Sequence, residues 1–343
     1  MYYIRFYDII QEKGGKTMPS ILTHALFAED VYQQVTSNKI VEMIKKNQSL
    51  FYMGSSGPDF LFFYHALPWE SYKDHTLNKL GSMVHASHVD DFYEEAIRCI
   101  QQQKHKEIQE RMFVYLLGHL CHWALDKTAH PYIYYRTGNC KGQSASYHHR
   151  LEAMIDTKML AMKKQCSVKE FPTYDIVKTD REILQAIARI YVPVAKKVFD
   201  TQLKVSQIKE SLQSWYDVLK LFHDPKDQKY KFLKFWEERL HRKWKFSGYI
   251  IRSHEGNELD IFNESHQVWK HPCDDTLQFT TSFLDLYEIA QEEVLEVIEK
   301  VYACVYENRS FDDVRALLKN ASYNSGKSDS YESDMQYFDI IFE

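Results

Sequence analysis

The sequence predicts an all-α fold, a bundle of many helices, and three observations lead to this prediction. Glycine and proline are scarce, with 11 and 8 of 343 residues, whereas many short strands joined by tight turns need more of both. Most segments repeat apolar residues at the three- and four-residue spacing of a helix. At 44% hydrophobic and 15% aromatic residues, the chain can bury a large core, so its composition is that of a globular protein.

Helical spacing covers most of the chain. The predicted helices, in order, are 24–35, 89–103, 107–130, 147–164, 180–199, 207–222, 230–244 and 279–306. We expect Ser20 or Thr23 to cap the first helix, and the third to end at His130 because Pro131 lacks a backbone N–H.

The segments between these helices carry turn residues. Residues 51–70, with Gly57-Pro58, and residues 136–146 are predicted loops. The stretch 247–275 is irregular, and the alternatives are a short hairpin or loops. The last residues, 324–343, are polar and then aromatic, and we expect them to be mobile.

The N-terminal residues predict a translation start at Met18. The run EKGGKT just before Met18 reads like a translated ribosome-binding site, so residues 1–17 are expected to be a non-native or disordered extension. A genuine short extension is the alternative. From Met18 we predict one helical domain to residue 320, with its motif-bearing part in 18–165 and a helical extension in 166–320. Residues 321–343 form the polar tail.

Charge and cysteine content limit the compartment and the partners. The net charge is −5 with a pI near 6.4, which gives no overall attraction to nucleic acid or anionic membranes. The six cysteines are scattered without a C-x-x-C pair, a pattern typical of reduced cytoplasmic thiols. We find no signal peptide and no apolar run of about 18 residues. The prediction is a cytoplasmic protein without a membrane span, for which peripheral membrane contact stays open.

The run GHLCHWALDKTAHPYIYY places polar groups where a buried helix normally has leucine. His122, Asp126 and His130 follow one another at four-residue intervals, so they lie on one helix face. His148 and Glu152 repeat this spacing. Imidazole and carboxylate groups are ligands that zinc prefers, and a carboxylate can bridge two ions. A metal cluster is therefore predicted, and three further polar residues in apolar or turn contexts complete its candidates: His24, Asp59 and His85.

At these residues the chain resembles the zinc-dependent phospholipase C family, related more distantly to S1/P1-type nucleases. The matching pieces are PSILTHALFAEDV, MGSSGPDFLFF, GSMVHASHVDDF, LLGHLCHWALDKTAHPYI and HHRLEAMID, in the order of the family and within about residues 18–157. The resemblance implies a phospholipase C/P1 nuclease-like helical bundle, here with a C-terminal helical extension. It also implies up to three zinc ions, with Asp126 bridging, on the following ligands: His24, Asp59, His85, His122, Asp126, His130, His148 and Glu152.

Alternatives remain for several of these residues. The histidines and the aspartate of 122–130 could form a satisfied core network, and Asp59 could be only the acid of a Gly-Pro-Asp turn. His85 is preferred over His88 by its position in the motif. His148 is preferred over His149, expected to be exposed, because only His148 lies four residues before Glu152. One further histidine, His119, is interpreted as a packing residue.

The ligand set predicts a zinc-dependent hydrolase of phosphoric esters. Clustered zinc ions lower the pKa of a bound water to about 7, and Asp59 would orient or deprotonate that water. The predicted substrate is a phosphodiester, with phospholipid as one candidate. The alternatives are a nuclease-like activity and a non-catalytic protein that keeps zinc for folding. A basic aromatic run, residues 227–246, could touch lipid or a polyanion, but we favour a helix with a solvated basic face.

Overall fold

The computed structural model describes residues 21–67, 74–328 and 330–343, and it confirms the all-α prediction. Within these residues the helices are α1 Ile21–Gln34, α2 Asn38–Lys46, α3 Gln48–Gly54, α4 Thr76–Ala86, α5 Val89–Gln101, α6 Lys106–Thr137, α7 Gln143–Lys164, α8 Arg181–Phe199, α9 Val205–Phe222, α10 Gln228–Arg239, α11 Phe283–Tyr306 and α12 Asp312–Leu318. None of them is long and apolar enough to cross a membrane. One antiparallel hairpin, β1 Trp269–His271 with β2 Asp274–Phe279, lies in the stretch predicted as a hairpin or loops.

Helix α6 is the centre of the bundle, and it packs most closely against α3. A Cβ atom added to Gly54 of α3 would lie 2.2 Å from the Tyr115 carbonyl oxygen, and one added to Gly118 of α6 would lie 2.1 Å from the Phe51 carbonyl oxygen. Only glycine allows two backbones to approach this closely. The contact holds the residues that follow α3, among them Gly57 and Asp59, close to His122 in the middle of α6. Asp59 begins a short 3₁₀ helix, Asp59–Phe63.

The prediction that α6 ends at His130 is wrong, because the helix continues through Pro131 to Thr137. A proline inside a helix costs about 3 kcal/mol, partly because the carbonyl four residues earlier loses its partner. That carbonyl belongs to Lys127, and Gly326 packs over it: a Cβ atom there would lie 2.7 Å from the Lys127 oxygen. Tyr132, Ile133 and Tyr134 are buried, and each buried side chain of this size contributes about 1.5–3 kcal/mol. Burial therefore outweighs the cost of the proline.

The start of α1 is capped from a distant helix. The Asp156 carboxylate of α7 accepts hydrogen bonds from the backbone N–H groups of Leu22 and Thr23, at 3.2 and 2.8 Å, and from the Thr23 hydroxyl at 2.5 Å. Thr23 lies inside α1 and is not its cap, so that alternative is wrong. Ser20 lies outside the described residues. Since His24 follows Thr23 directly, Asp156 also positions His24.

The C-terminal residues pack on the bundle, so the prediction of a mobile tail is wrong for 324–328 and 330–343. The backbone N–H groups of Asp339 and Ile341 donate to the carbonyls of Tyr135 and Arg136, at 2.8 and 3.0 Å. The Phe342 ring packs edge-on against Trp244, with ring centroids 4.6 Å apart. The aromatic residues of the tail bury apolar area against the bundle, and this burial also keeps the polar residues of the tail in place.

Candidate metal centre

The structure brings all eight sequence-predicted residues to one place in the interior. They come from five elements: His24 on α1, Asp59 at the start of the 3₁₀ helix, His85 on α4, His122, Asp126 and His130 on α6, and His148 and Glu152 on α7. Every one of them is buried. Within the described residues they form three groups whose candidate ligand atoms lie within 4.8 Å of one another: His24, His122 and Asp126; Asp59, His85 and His122; His130, His148 and Glu152.

Asp126 occupies the middle of this arrangement. Its Oδ1 lies 3.1 Å from Nε2 of His24, and its Oδ2 lies 3.0 Å from Nε2 of His122. Oδ1 is also 3.7 Å from Nε2 of His130, which belongs to the next group. One carboxylate therefore faces three imidazoles, an arrangement suited to bridging two ions.

The two outer groups repeat the pairing of a carboxylate with two imidazoles. Oδ1 of Asp59 lies 3.2 Å from Nε2 of His85 and 3.7 Å from Nε2 of His122. At the other end, the Glu152 Oε1 lies 3.2 Å from Nε2 of His148 and 3.5 Å from Nε2 of His130. Because His122 and His130 each face two carboxylates, the three groups form one continuous row.

Backbone carbonyls determine which ring nitrogen of three histidines carries the proton. The bonds run from Nδ1 of His85 to the Gly81 oxygen at 2.7 Å, from Nδ1 of His122 to the Ser55 oxygen at 3.2 Å, and from Nδ1 of His130 to the Tyr323 oxygen at 2.9 Å. A carbonyl oxygen can only accept, so each Nδ1 is the donor. In the neutral rings each Nε2 then presents a lone pair to the carboxylates, as metal-binding histidines do.

Five atoms of the row are buried without a hydrogen-bond partner among the described residues: His24 Nδ1, His122 Nε2, Asp126 Oδ2, His148 Nε2 and Glu152 Oε2. Each such group costs about 1–3 kcal/mol in a dry interior. His122 Nε2 and Asp126 Oδ2 are only 3.0 Å apart, yet neither is hydrogen-bonded. A cation shared by these atoms would remove that cost, so the residues fit a metal ion.

Electrostatics support the same fit. Burial raises the pKa of the Asp126 carboxyl, but the three imidazoles of His122, His130 and His24 together lower it by more. The pKa of Asp126 therefore lies well below its ordinary value. Burial lowers the pKa of His130, but Asp126 and Glu152 raise it, and the net change is upward. The Asp126 carboxylate thus stays ionised and favours positive charge around it, which zinc can supply.

Gly57 is needed where the loop before Asp59 passes over His122. Its φ is +51°, in the left-handed region, and a Cβ atom there would lie 2.2 Å from Cδ2 of the His122 ring. Glycine alone meets both requirements. The Gly-Pro-Asp turn of the sequence therefore packs directly on a candidate ligand, which a surface turn would not do.

The neighbouring histidines differ in their surroundings. His119 is bound between the Tyr93 and Tyr191 hydroxyls, both at 2.9 Å, and it belongs to none of the three groups, as its interpretation as a packing residue requires. Burial, then His122 and His85, hold its pKa well below the ordinary value. The His88 side chain is 54% exposed and pairs with Asp91.

The expectation that His149 is exposed is wrong, since it is buried. Its ring stacks on Tyr249 with centroids 4.4 Å apart, and its Nδ1 lies 4.0 Å from Oε2 of Glu152. The short 3₁₀ helix Ser247–Tyr249 packs on α7 and covers this side chain. Spacing along one helix could not show that a segment 100 residues later covers it.

Two residues near the centre were missed by sequence reasoning. Asp156 continues the four-residue series of His148 and Glu152, so the sequence did contain a signal. Burial raises the pKa of its carboxyl to about 7, although the hydrogen bonds from Thr23 and Leu22 lower it. Tyr323 contributes through its backbone carbonyl, which leaves no trace in the residue pattern.

Comparison with known protein families finds a match. The family described as zinc dependent phospholipase C matches residues 23–205, more than half of the chain. This range contains all eight residues of the row. A comparison with curated proteins and a comparison with solved structures each find no match to this chain.

The family match and the geometry agree on the metal. The three groups of histidine and carboxylate ligands offer places for two or three zinc ions. The chain belongs to the zinc-dependent phospholipase C family.

Proposed function

We propose that the protein is a zinc-dependent hydrolase that cleaves a phosphodiester, and that its substrate is a phospholipid or a related ester. The observation that carries this proposal is the continuous row of three ligand groups, joined through His122 and His130. A site that only stabilises a fold needs a single closed set of four ligands. The family match supports the phospholipid-type substrate.

We assign the residues of the row different tasks. Zinc bound there would lower the pKa of a coordinated water to about 7 and would neutralise charge on the phosphoryl oxygens. Asp126 faces three imidazoles and would be the carboxylate ligand shared between ions. Asp59 lies at one end of the row, on a 3₁₀ helix and not on α6 or α7. We assign Asp59 the role of general base, which accepts the proton of the attacking water.

An assay with a panel of phosphodiesters tests this function. Phosphatidylcholine, bis(p-nitrophenyl) phosphate and single-stranded DNA would be offered to the zinc-loaded protein, to chelated protein and to chelated protein with zinc restored. We expect turnover of at least one diester, a loss of about 10²-fold or more on chelation, and recovery with zinc but not magnesium. His88→Ala, at an exposed histidine outside the row, serves as the control and should keep full turnover.

The panel also separates the alternatives. If the protein cleaves DNA and neither of the other diesters, its activity is that of a nuclease and not of a phospholipase. A zinc-loaded protein that turns over none of the diesters would contradict the proposal and leave a zinc-binding protein that keeps the ions for its fold.

A further inference from the structure

Helix α10 and the residues after it expose aromatic side chains among basic ones. Phe232, Phe235, Trp236 and Leu240 are 55, 48, 49 and 54% exposed. We call residues 228–246 the basic aromatic surface. Residues 228–239 form a helix whose basic side chains are exposed, as the favoured interpretation expects, and bulky apolar groups also lie in solvent there.

The inner side of α10 fixes which face points outward. Only Tyr230 and Glu237, seven residues apart, are buried on this helix. Glu237 accepts hydrogen bonds from the backbone N–H groups of Phe246 and Ser247, at 2.5 and 2.9 Å. The guanidinium of Arg252 lies 4.6 Å from the centre of the Tyr230 ring, a cation–π contact. Tyr230 and Glu237 thus attach the inner face of α10 to the rest of the protein.

The exposed aromatic residues form a second stripe on the opposite side of α10. At 100° per residue, Phe232 and Phe235 point within about 30° of the direction opposite to the buried pair, and Trp236 within about 70°. About half of each of these three side chains is open to solvent, so burial in the helix bundle does not account for their aromatic character.

Charge accompanies this stripe. Residues 228–246 hold seven lysines and arginines against two glutamates, in a chain whose net charge is −5. One of the two glutamates, Glu237, is buried beneath the helix. The exposed surface is consequently strongly cationic, and long basic side chains can extend beside an apolar stripe towards anionic groups.

We propose that the basic aromatic surface docks on an anionic lipid bilayer. Helices that lie in a membrane interface combine exposed Trp, Phe and Leu on one face with flanking Lys and Arg, and the charge of anionic headgroups complements that of residues 228–246. Leu240 favours lipid over nucleic acid, because its side chain can enter the acyl boundary but cannot stack on a base. The surface lies outside residues 23–205 and binds without hydrolysis, so the proposal is independent of the proposed function.

The surface is also connected to the metal centre. The Arg150 guanidinium lies 5.2 Å from the centre of the Tyr230 ring and binds Glu255 at 2.6 Å. Arg150 lies on α7 between His148 and Glu152, two residues from each. Docking of α10 would therefore hold the helix that carries one ligand group close to the lipid.

Vesicle sedimentation of the full chain tests the docking. The probes are vesicles of phosphatidylcholine alone and of equal parts phosphatidylcholine and phosphatidylglycerol, with wild type and Asp59→Asn run in parallel so that hydrolysis cannot affect binding. We expect partitioning onto the anionic vesicles only, weakened at high salt. The triple variant Phe232→Ser/Phe235→Ser/Trp236→Ser should lower the partition coefficient about tenfold or more.

Matched variants control for surface change in general. Val268→Ser/Ile289→Ser removes exposed apolar groups elsewhere, at 57 and 40% exposure, and should bind like wild type. Lys231→Glu/Arg239→Glu should weaken binding, whereas Lys39→Glu/Lys45→Glu on α2 should do so far less. Circular dichroism melting confirms that each variant is folded.

Four outcomes of the binding experiments would overturn the proposal. They are no binding to anionic vesicles, equal binding to both vesicle types, unchanged binding by the triple variant, and retention by single-stranded DNA in place of vesicles. A dimer that forms in solution and is lost in the triple variant would assign the surface to a second copy of the chain, which also overturns it.

Discussion

Asp126→Asn should lose zinc, stability and activity together. The Asp126 carboxylate faces His24, His122 and His130 with its two oxygens, whereas an amide offers one oxygen and an N–H₂ group that cannot ligate. The variant leaves three buried imidazoles without their shared counter-charge. Removing one member of a buried ion pair costs about 3–5 kcal/mol, so we expect a loss of this size in the free energy of unfolding.

Three measurements on Asp126→Asn check this expectation: zinc per chain by mass spectrometry, urea unfolding and diester turnover. The control is Asp91→Asn, whose side chain is 51% exposed and pairs with His88. It should change the free energy of unfolding by no more than about 0.5 kcal/mol. An Asp126→Asn protein with normal zinc content and normal stability would contradict the bridging role.

Asp59→Asn should separate chemistry from metal binding. Asparagine keeps the volume and one coordinating oxygen of Asp59 but cannot accept the proton of the attacking water. We expect turnover to fall by about 10²–10⁴-fold, the usual contribution of a positioned general base. Zinc content and melting temperature should stay near those of the wild type.

The comparison of the two variants decides the role of Asp59. Full turnover in Asp59→Asn would remove this residue from the mechanism. Zinc loss as large as in Asp126→Asn would make Asp59 an ordinary ligand, and the base would have to be found elsewhere in the row.

The sequence could predict those parts of the site that are local in the chain. His122, Asp126 and His130 share one helix face, and spacing alone places them together. The same holds for His148 and Glu152. Contacts between different helices, such as His24 with Asp126, came from the resemblance to a family, because periodicity within a segment carries no information about its neighbours.

The wrong predictions share a physical cause, which is burial by residues distant in sequence. Helix α6 continues through Pro131 because the residues after it are buried, and Gly326 lies on the carbonyl that the proline leaves free. His149 is covered by Tyr249. Local propensity is a weak guide wherever tertiary packing contributes more free energy.

The number of zinc ions bound per chain tests the central claim most directly. It should be measured on protein purified without chelator, in wild type and in His148→Ala/Glu152→Ala, which lacks two ligands of the third group. We expect two or three zinc ions in the wild type and one fewer in the double variant. Less than one zinc per wild-type chain would contradict the account.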